Sequence, residues 1–207
     1  MKKLILAATI AAVFLGFAAP GNSADEELTY YARCNIRVFD GAIWWENWLA
    51  SDTFIPAGTR LGVSLYKDYG FGDSSEPVSA AFIIDKRTGK KYSLKSGAQK
   101  SNFIEKNLSK EPVEAGPAFA DTIKKEEVAV GMSKEQVYAA MCLPPYVLGS
   151  YSGTKGYIGV TKTDKSGFGD IMAANYWVYL RKKLGKRLII EFDEASGSVK
   201  DVYWKVL

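Results

Sequence analysis

Apolar side chains recur at every second position along much of this chain, in short runs broken by turn residues, and that rhythm points to β-structure. Between residues 30 and 38 the even positions hold Tyr30, Ala32, Cys34, Ile36 and Val38, and the odd ones Tyr31, Arg33, Asn35 and Arg37. One half-buried strand is expected there, with Cys34 on its inner face and Asn35 on its outer face. Asp40-Gly41 turns the chain into an aromatic strand over residues 42–49, and residues 55–59 turn it again. Residues 60–67 alternate with Leu61, Val63 and Leu65 on one face, residues 80–84 are continuously apolar, and Thr88-Gly89 tips a turn into residues 91–95. A short helix should follow, capped by Asn102 with Glu105 reaching back. Residues 25–111 therefore read as a β-rich module, a small barrel or a curved antiparallel sheet. Residues 112–118, with Pro112, Gly116 and Pro117, read as a linker.

The rhythm changes in residues 119–207. A weak helical segment over residues 121–127 precedes Gly131-Met132-Ser133-Lys134-Glu135-Gln136-Val137. Here Ser133 can accept from the Gln136 amide, Gln136 can return the bond, and Met132 and Val137 occupy the two positions of a hydrophobic staple. Pro144-Pro145 stops that helix. The stretch 149–170, rich in Gly, Ser and Thr, reads as a loop. Strands are expected at residues 176–181, 187–193 and 199–206, with turns at Leu184-Gly185 and Ser196-Gly197. The result is an α+β module, two helices packed on a three-stranded antiparallel meander.

The first 24 residues have a different character. Lys2 and Lys3 precede an uncharged apolar run over residues 4–19, then Pro20-Gly21-Asn22 and a small-residue exit at Ser23-Ala24. This is the order of a secretory signal peptide, and the run is short for a membrane span, which needs about 20 residues. Export allows disulfide formation. The chain has two cysteines, Cys34 and Cys142. They are either one bridge or two buried free thiols, and the residue pattern does not choose between these. Over the whole chain 27 basic residues face 23 acidic ones, and losing Lys2 and Lys3 with the leader brings the two closer to balance. That argues against nucleic acid as a partner.

The second half resembles the SmpA/OmlA family, known also as BamE, the small outer-membrane assembly lipoproteins. The residues that carry the resemblance are Gly131-Met132-Ser133, Gln136-Val137, Pro144, Trp177-Val178-Tyr179 and Phe192-Asp193. It covers residues 119–207 and implies a BamE-like module, a place in the periplasm or on the periplasmic face of the outer membrane, and action through protein contacts. The family usually has Gly where this chain has Cys142. It is usually lipid-anchored, whereas no Cys follows the apolar run here, so a protein without a lipid anchor, or one released from the cell, is expected.

Chemistry-bearing motifs are sparse. There is no His, which removes Ser-His and Cys-His nucleophile pairs and His-based metal sites. No catalytic residue, metal ligand set or cofactor fingerprint is expected. The loops Gly70-Phe71-Gly72-Asp73 and Gly167-Phe168-Gly169-Asp170 read as glycine turns with Asp in local hydrogen bonds. Two surface candidates stand out. Trp44, Trp45 and Trp48 offer either a platform for a glycan or peptidoglycan strand, or plain core. Arg181, Lys182, Lys183, Lys186 and Arg187 cluster at one hairpin tip, as a patch for an anionic lipid surface or as solvated edge charges. The expected function is that of an exported, non-enzymatic accessory to outer-membrane protein assembly or envelope integrity, with periplasmic glycan binding as the alternative.

Overall fold

The computed structural model describes residues 27–43, 53–67, 78–94, 100–114, 116–152, 156–163, 166–180 and 186–206. The leader, Trp44, Trp45, Trp48, Arg181, Lys182, Lys183 and Gly70–Asp73 lie outside them. In chain order the first sheet is built from β1 (Glu27–Ala32), β2 (Ile36–Phe39), β3 (Ala42–Ile43), β4 (Phe54–Ile55), β5 (Arg60–Lys67), β6 (Val78–Asp85) and β7 (Lys91–Leu94). The helix α1 (Lys100–Asn107) follows, and then β8 (Leu108–Ser109) returns to the same sheet. The strand order is β4-β2-β3-β7-β6-β5-β1-β8. Antiparallel hairpins dominate, but β3 runs parallel to β7, with Ala42 opposite Ser93.

The second half supplies α2 (Ala120–Lys124), α3 (Lys134–Met141), β9 (Tyr146–Ser152), β10 (Gly156–Lys162), α4 (Phe168–Ala173), β11 (Tyr176–Leu180), β12 (Lys186–Phe192) and β13 (Val199–Val206). These strands form a five-stranded antiparallel sheet in the order β10-β9-β11-β12-β13.

This architecture overturns the expected α+β class and the BamE-like arrangement of two helices on a three-stranded meander. The described residues are mostly β, with 13 strands in two sheets and four short helices. The main physical reason lies in residues 146–162. Glycines at 149, 156 and 159 and the surrounding hydroxyl residues resemble a loop in composition. Yet Leu148 pairs with Val160, Val147 with Thr161 and Tyr151 with Tyr157. β-branched and aromatic partners across the hairpin outweigh the weak intrinsic strand propensity of the glycines. β9 then docks on β11, with Val147 opposite Trp177.

Other boundaries also move. The strand expected at residues 30–38 breaks after Ala32, because Cys34 and Asn35 turn into the junction between the halves. Asn35, expected on the outer face, is 1 % exposed. Asn102 falls inside α1, so it does not cap it; Glu105 instead accepts from the Phe168 amide through Oε1 at 3.3 Å. At α3 both halves of the capping box form: the Gln136 amide donates to Ser133 Oγ at 3.3 Å and the Ser133 amide to Gln136 Oε1 at 2.9 Å. Gly131, at φ +89°, makes the turn into that helix, a conformation costly for any residue with a Cβ. Its amide donates to Val199 O at 2.8 Å, which seats the turn on β13.

One buried cluster runs through both halves. It contains Ile36, Leu61, Val63, Ile83 and Leu108 from the first half, and Val137, Tyr138, Ile171, Trp177, Ile190 and Phe192 from the second. Trp177 lies near its centre, with Tyr138 and Phe192 edge-on to its ring and its Nε1 donating to Ile171 O at 2.9 Å. Polar groups stitch the same junction. Asn35 Nδ2 donates to Ile123 O at 2.7 Å and Ala140 O at 3.3 Å, and its Oδ1 accepts from the Ala57 amide at 3.0 Å. The Asn35 amide donates to Ala139 O at 2.8 Å. Arg37 pairs with Glu126 across the halves. Lys106, 1 % exposed, donates through Nζ to Thr163 O at 2.6 Å, and the Tyr138 hydroxyl donates to Lys106 O at 2.8 Å. Apart from the Trp177–Ile171 bond, these hydrogen bonds and the ion pair join residues far apart in the chain.

Candidate functional site

Of the residues singled out from the sequence, the cysteines are brought together. Cys34 and Cys142 form a disulfide with Cα atoms 5.0 Å apart, and both are buried. Cys34 leaves the end of β1, and Cys142 caps the end of α3 at φ +57°, a backbone region that glycine prefers. The bridge therefore ties the first sheet to the helix layer of the second half. The described part of the basic cluster is small: Lys186 stands opposite Val206 in the β12–β13 ladder, and Arg187 opposite Lys205. Arg187 is half-buried, its Nε without a hydrogen-bond partner among the described residues. Gly167 to Asp170, expected as a glycine turn, instead opens α4 with Gly167 as its N-cap; the local hydrogen bond of Asp170 is as expected, its Oδ2 accepting from the Gly167 amide at 3.1 Å.

A second constellation was not read from the sequence. The strands of the five-stranded sheet alternate, so Trp177, Tyr179, Leu188, Ile190 and Phe192 enter the shared core. Leu148, Val178 and Ile189 lie on the opposite face, packed with Tyr146, Tyr176 and Tyr203. On that outer face Tyr176 stands opposite Glu191, and Glu191 opposite Asp201. The ladder shifts between Glu191 and Phe192, which leaves Lys200 as an extra residue on β13. This bulge turns Lys200 onto Glu191: its Nζ donates to Oε1 at 2.7 Å, while the Tyr203 hydroxyl donates to Oε2 at 2.5 Å. Beside them a recess of about 280 Å³ is lined by Asn175, Tyr176, Glu191, Phe192, Asp193, Glu194 and Lys200. Lys134 borders it from α3, donating to Asn175 Oδ1 at 3.3 Å and Met172 O at 2.9 Å. Its burial holds the ammonium below the usual lysine range, against the pull of Glu135.

The electrostatics separate these groups from neutrality. Burial pushes the Glu191 carboxyl up, but the hydrogen bonds from Lys200 and Tyr203 outweigh it and hold the group below the ordinary range. The Tyr203 hydroxyl is pushed well up by its bond to Glu191, then by burial. Tyr176 is pushed up by burial and by the Glu191 charge. Asp193 is held down by the Ser196 amide and hydroxyl, which both donate to its Oδ1 at 2.9 Å. At neutral pH the recess thus presents fixed carboxylates and fixed phenols. None of these groups is poised to exchange a proton near pH 7, as general acid–base chemistry requires. Among the described residues no three His, Cys, Asp or Glu side chains gather to hold a metal, and no helix is long and apolar enough to cross a membrane.

A pH dependence follows. A carboxyl held low in the folded chain adds stability above its unfolded value, about 4.3 for Glu, and loses it as pH falls through the folded value. Glu191→Gln should therefore remove part of the loss of stability seen below about pH 4.3. Chemical denaturation of both proteins at pH 7 and at acidic pH checks this. Parallel pH curves would show that Glu191 contributes nothing.

The sequence held one usable signal for this constellation. Glu191 interrupts the apolar run 188–192, and a charge between Ile190 and Phe192 belongs on the face away from the core. Its partners were hidden because the bulge at Lys200 shifts the register by one residue. Compared with protein-family models, with curated proteins and with solved structures, the chain matches none.

Proposed function

We propose that this chain is an exported, non-enzymatic protein of the cell envelope, an accessory to outer-membrane protein assembly or envelope integrity that works through contacts with other proteins. The observation that carries the reading is the recess at Glu191. It combines the ring of Tyr176 with the carboxylates of Glu191, Asp193 and Glu194, against the ammonium of Lys200. Such a surface suits a cationic side chain of a partner protein: the ring attracts the cation and the carboxylates accept its hydrogen bonds. The Cys34–Cys142 bridge supports export, since disulfides persist in oxidising compartments, and the lysine-led apolar run at the start of the chain agrees with it.

The test is genetic. In cells that carry this chain, its deletion is expected to raise outer-membrane permeability to a bulky antibiotic or to lower the level of folded outer-membrane proteins. The wild-type gene should restore both. Glu194→Lys, which reverses one exposed charge of the recess, should restore them only in part while accumulating normally. A deletion that changes neither readout, or a mature protein that keeps Met1 and stays in the cytoplasm, overturns the reading.

A further inference from the structure

We propose that the outer face of the β6–β7 hairpin is a membrane-docking surface, which lays Arg60, Lys86 and Lys91 on anionic phospholipid headgroups with the Phe82 ring among them. This goes beyond the envelope reading and does not depend on it.

The pleat decides which residues share that face. Leu61, Val63, Ile83, Tyr92 and Leu94 are buried in the core. Successive side chains of a strand point to opposite faces, so the residues between these turn outward. Ser64 stands opposite Phe82, Phe82 opposite Ser93, and Ile84 opposite Gly62 and Lys91. Arg60 closes the row, its carbonyl accepting from the Lys86 amide at 3.2 Å. The face thus carries two apolar side chains, Phe82 at 37 % exposure and Ile84 half-buried, in a bed of Gly62, Ser64 and Ser93. Around them stand the exposed cations Arg60, Lys86 and Lys91.

The charges of this hairpin are unevenly answered. Lys86 pairs with Glu27. At the tip the buried Asp85 holds Arg87, whose Nη2 donates to Oδ2 at 2.8 Å and whose amide donates to Oδ1 at 2.9 Å. That fixes the turn leading into Lys90 and Lys91. Among the described residues no ion pair includes Arg60, Lys90 or Lys91. The Lys91 ammonium instead lies over the Phe82 ring, 3.9 Å from its centre. Such an arrangement fits an extended anionic surface better than a single anion. A discrete anion is recognised in a concavity with converging donors, whereas these cations are spread over β5, the turn and β7. A charged bilayer needs only cations within a Debye length and an apolar group to cross its boundary. The aliphatic stems of Lys86 and Lys91 let the ring approach while their heads stay with the phosphates. In water the Lys91 ammonium covers one face of Phe82; at the membrane a phosphate takes the ammonium and leaves the ring against the acyl boundary.

The test is co-sedimentation of the full processed, oxidised protein with vesicles, either of phosphatidylcholine alone or of phosphatidylcholine with an equal part of phosphatidylglycerol. At low salt the wild type is expected to partition onto the anionic vesicles roughly ten-fold or more above the neutral ones, and added salt should release it. Each cation near such a surface is worth about five-fold in partitioning, so Arg60→Gln with Lys91→Gln should weaken binding by roughly 25-fold. Lys124→Gln with Lys125→Gln removes the same charge from exposed positions at the end of α2 and should change binding by less than about two-fold. Phe82→Ser should weaken it by roughly five-fold. Melting curves of all the variants confirm that the fold is intact. A wild type that does not prefer the anionic vesicles overturns the proposal. So does a hairpin double variant that binds like the wild type, or an equal loss in the two double variants, which would report net charge alone. A Phe82→Ser variant as tight as the wild type overturns the part given to the ring.

Discussion

Removing the bridge with Cys34→Ala and Cys142→Ala together should lower stability by roughly 4–5 kcal/mol in the chain-entropy view, because the cross-link spans a sequence separation of 108. For a chain of this size that corresponds to a melting temperature lower by roughly 10–15 °C. Thermal melts of the oxidised protein and the double variant measure it directly. A shift of less than about 3 °C would mean that the packing around the bridge holds the junction unaided. The two single changes should differ, although each removes the same bond. Cys142 sits at φ +57°, ψ −157°, where a side chain costs about 1–3 kcal/mol and glycine very little. Cys142→Gly should therefore be milder than Cys34→Ala, which leaves the strained residue in place. Both sulfurs are buried, so a reductant without denaturant should cut the bridge only as fast as the junction opens.

Asn35→Leu should be the most damaging change at a residue without an obvious chemical role. The side chains are close in volume, but leucine leaves the Ala57 amide without its acceptor and takes the Asn35 donor from the carbonyls of Ala140 and of Ile123, the latter keeping the Glu126 amide. A buried polar group left unsatisfied costs about 1–3 kcal/mol, and the total for this site should be roughly 3 kcal/mol. Denaturant melts provide the measurement. Loss of a single cooperative transition, with the two halves melting separately, would identify Asn35 as the tie between them. A value within about 0.5 kcal/mol of wild type would mean that water replaces the amide.

Features of the fold that depend on neighbours in sequence were legible. The Ser133 capping box, the bounds of β5, the turn around Thr88-Gly89 and the inward set of Cys34 all rest on residues within a few positions of one another. The class and the architecture were not legible. The parallel pairing of β3 with β7 and the return of β8 to β1 arise from contacts between distant segments, which no local pattern encodes, and the β9–β10 hairpin, although local, was hidden by its glycine- and hydroxyl-rich composition. The same limit governs the site. Glu191 was visible as a charge in an apolar run, but Tyr176, Lys200 and Tyr203 converge on it only once three strands and a bulge are in place. Asn35 was misplaced because period two assumes an unbroken strand, and the chain turns inward at that point.

The long reach of the junction contacts also sets an order in time. β1 closes on β8, the Asn35 side chain waits for Ile123 and Ala140, and Cys34 waits for Cys142. As the chain emerges from its first residue onward, β1 and β2 meet strand partners in β5, β3 and β4 early, but Cys34 and Asn35 between them gain theirs only when residues 123–142 arrive. Contacts of such separation reward the chain late, after loop closure, and slow folding accordingly. Until then Asn35 and Cys34 carry unsatisfied polar groups and a waiting thiol. With only two cysteines in the chain, oxidation has a single intramolecular outcome. The bond acts as a latch on the last step, not as a guide through the earlier ones.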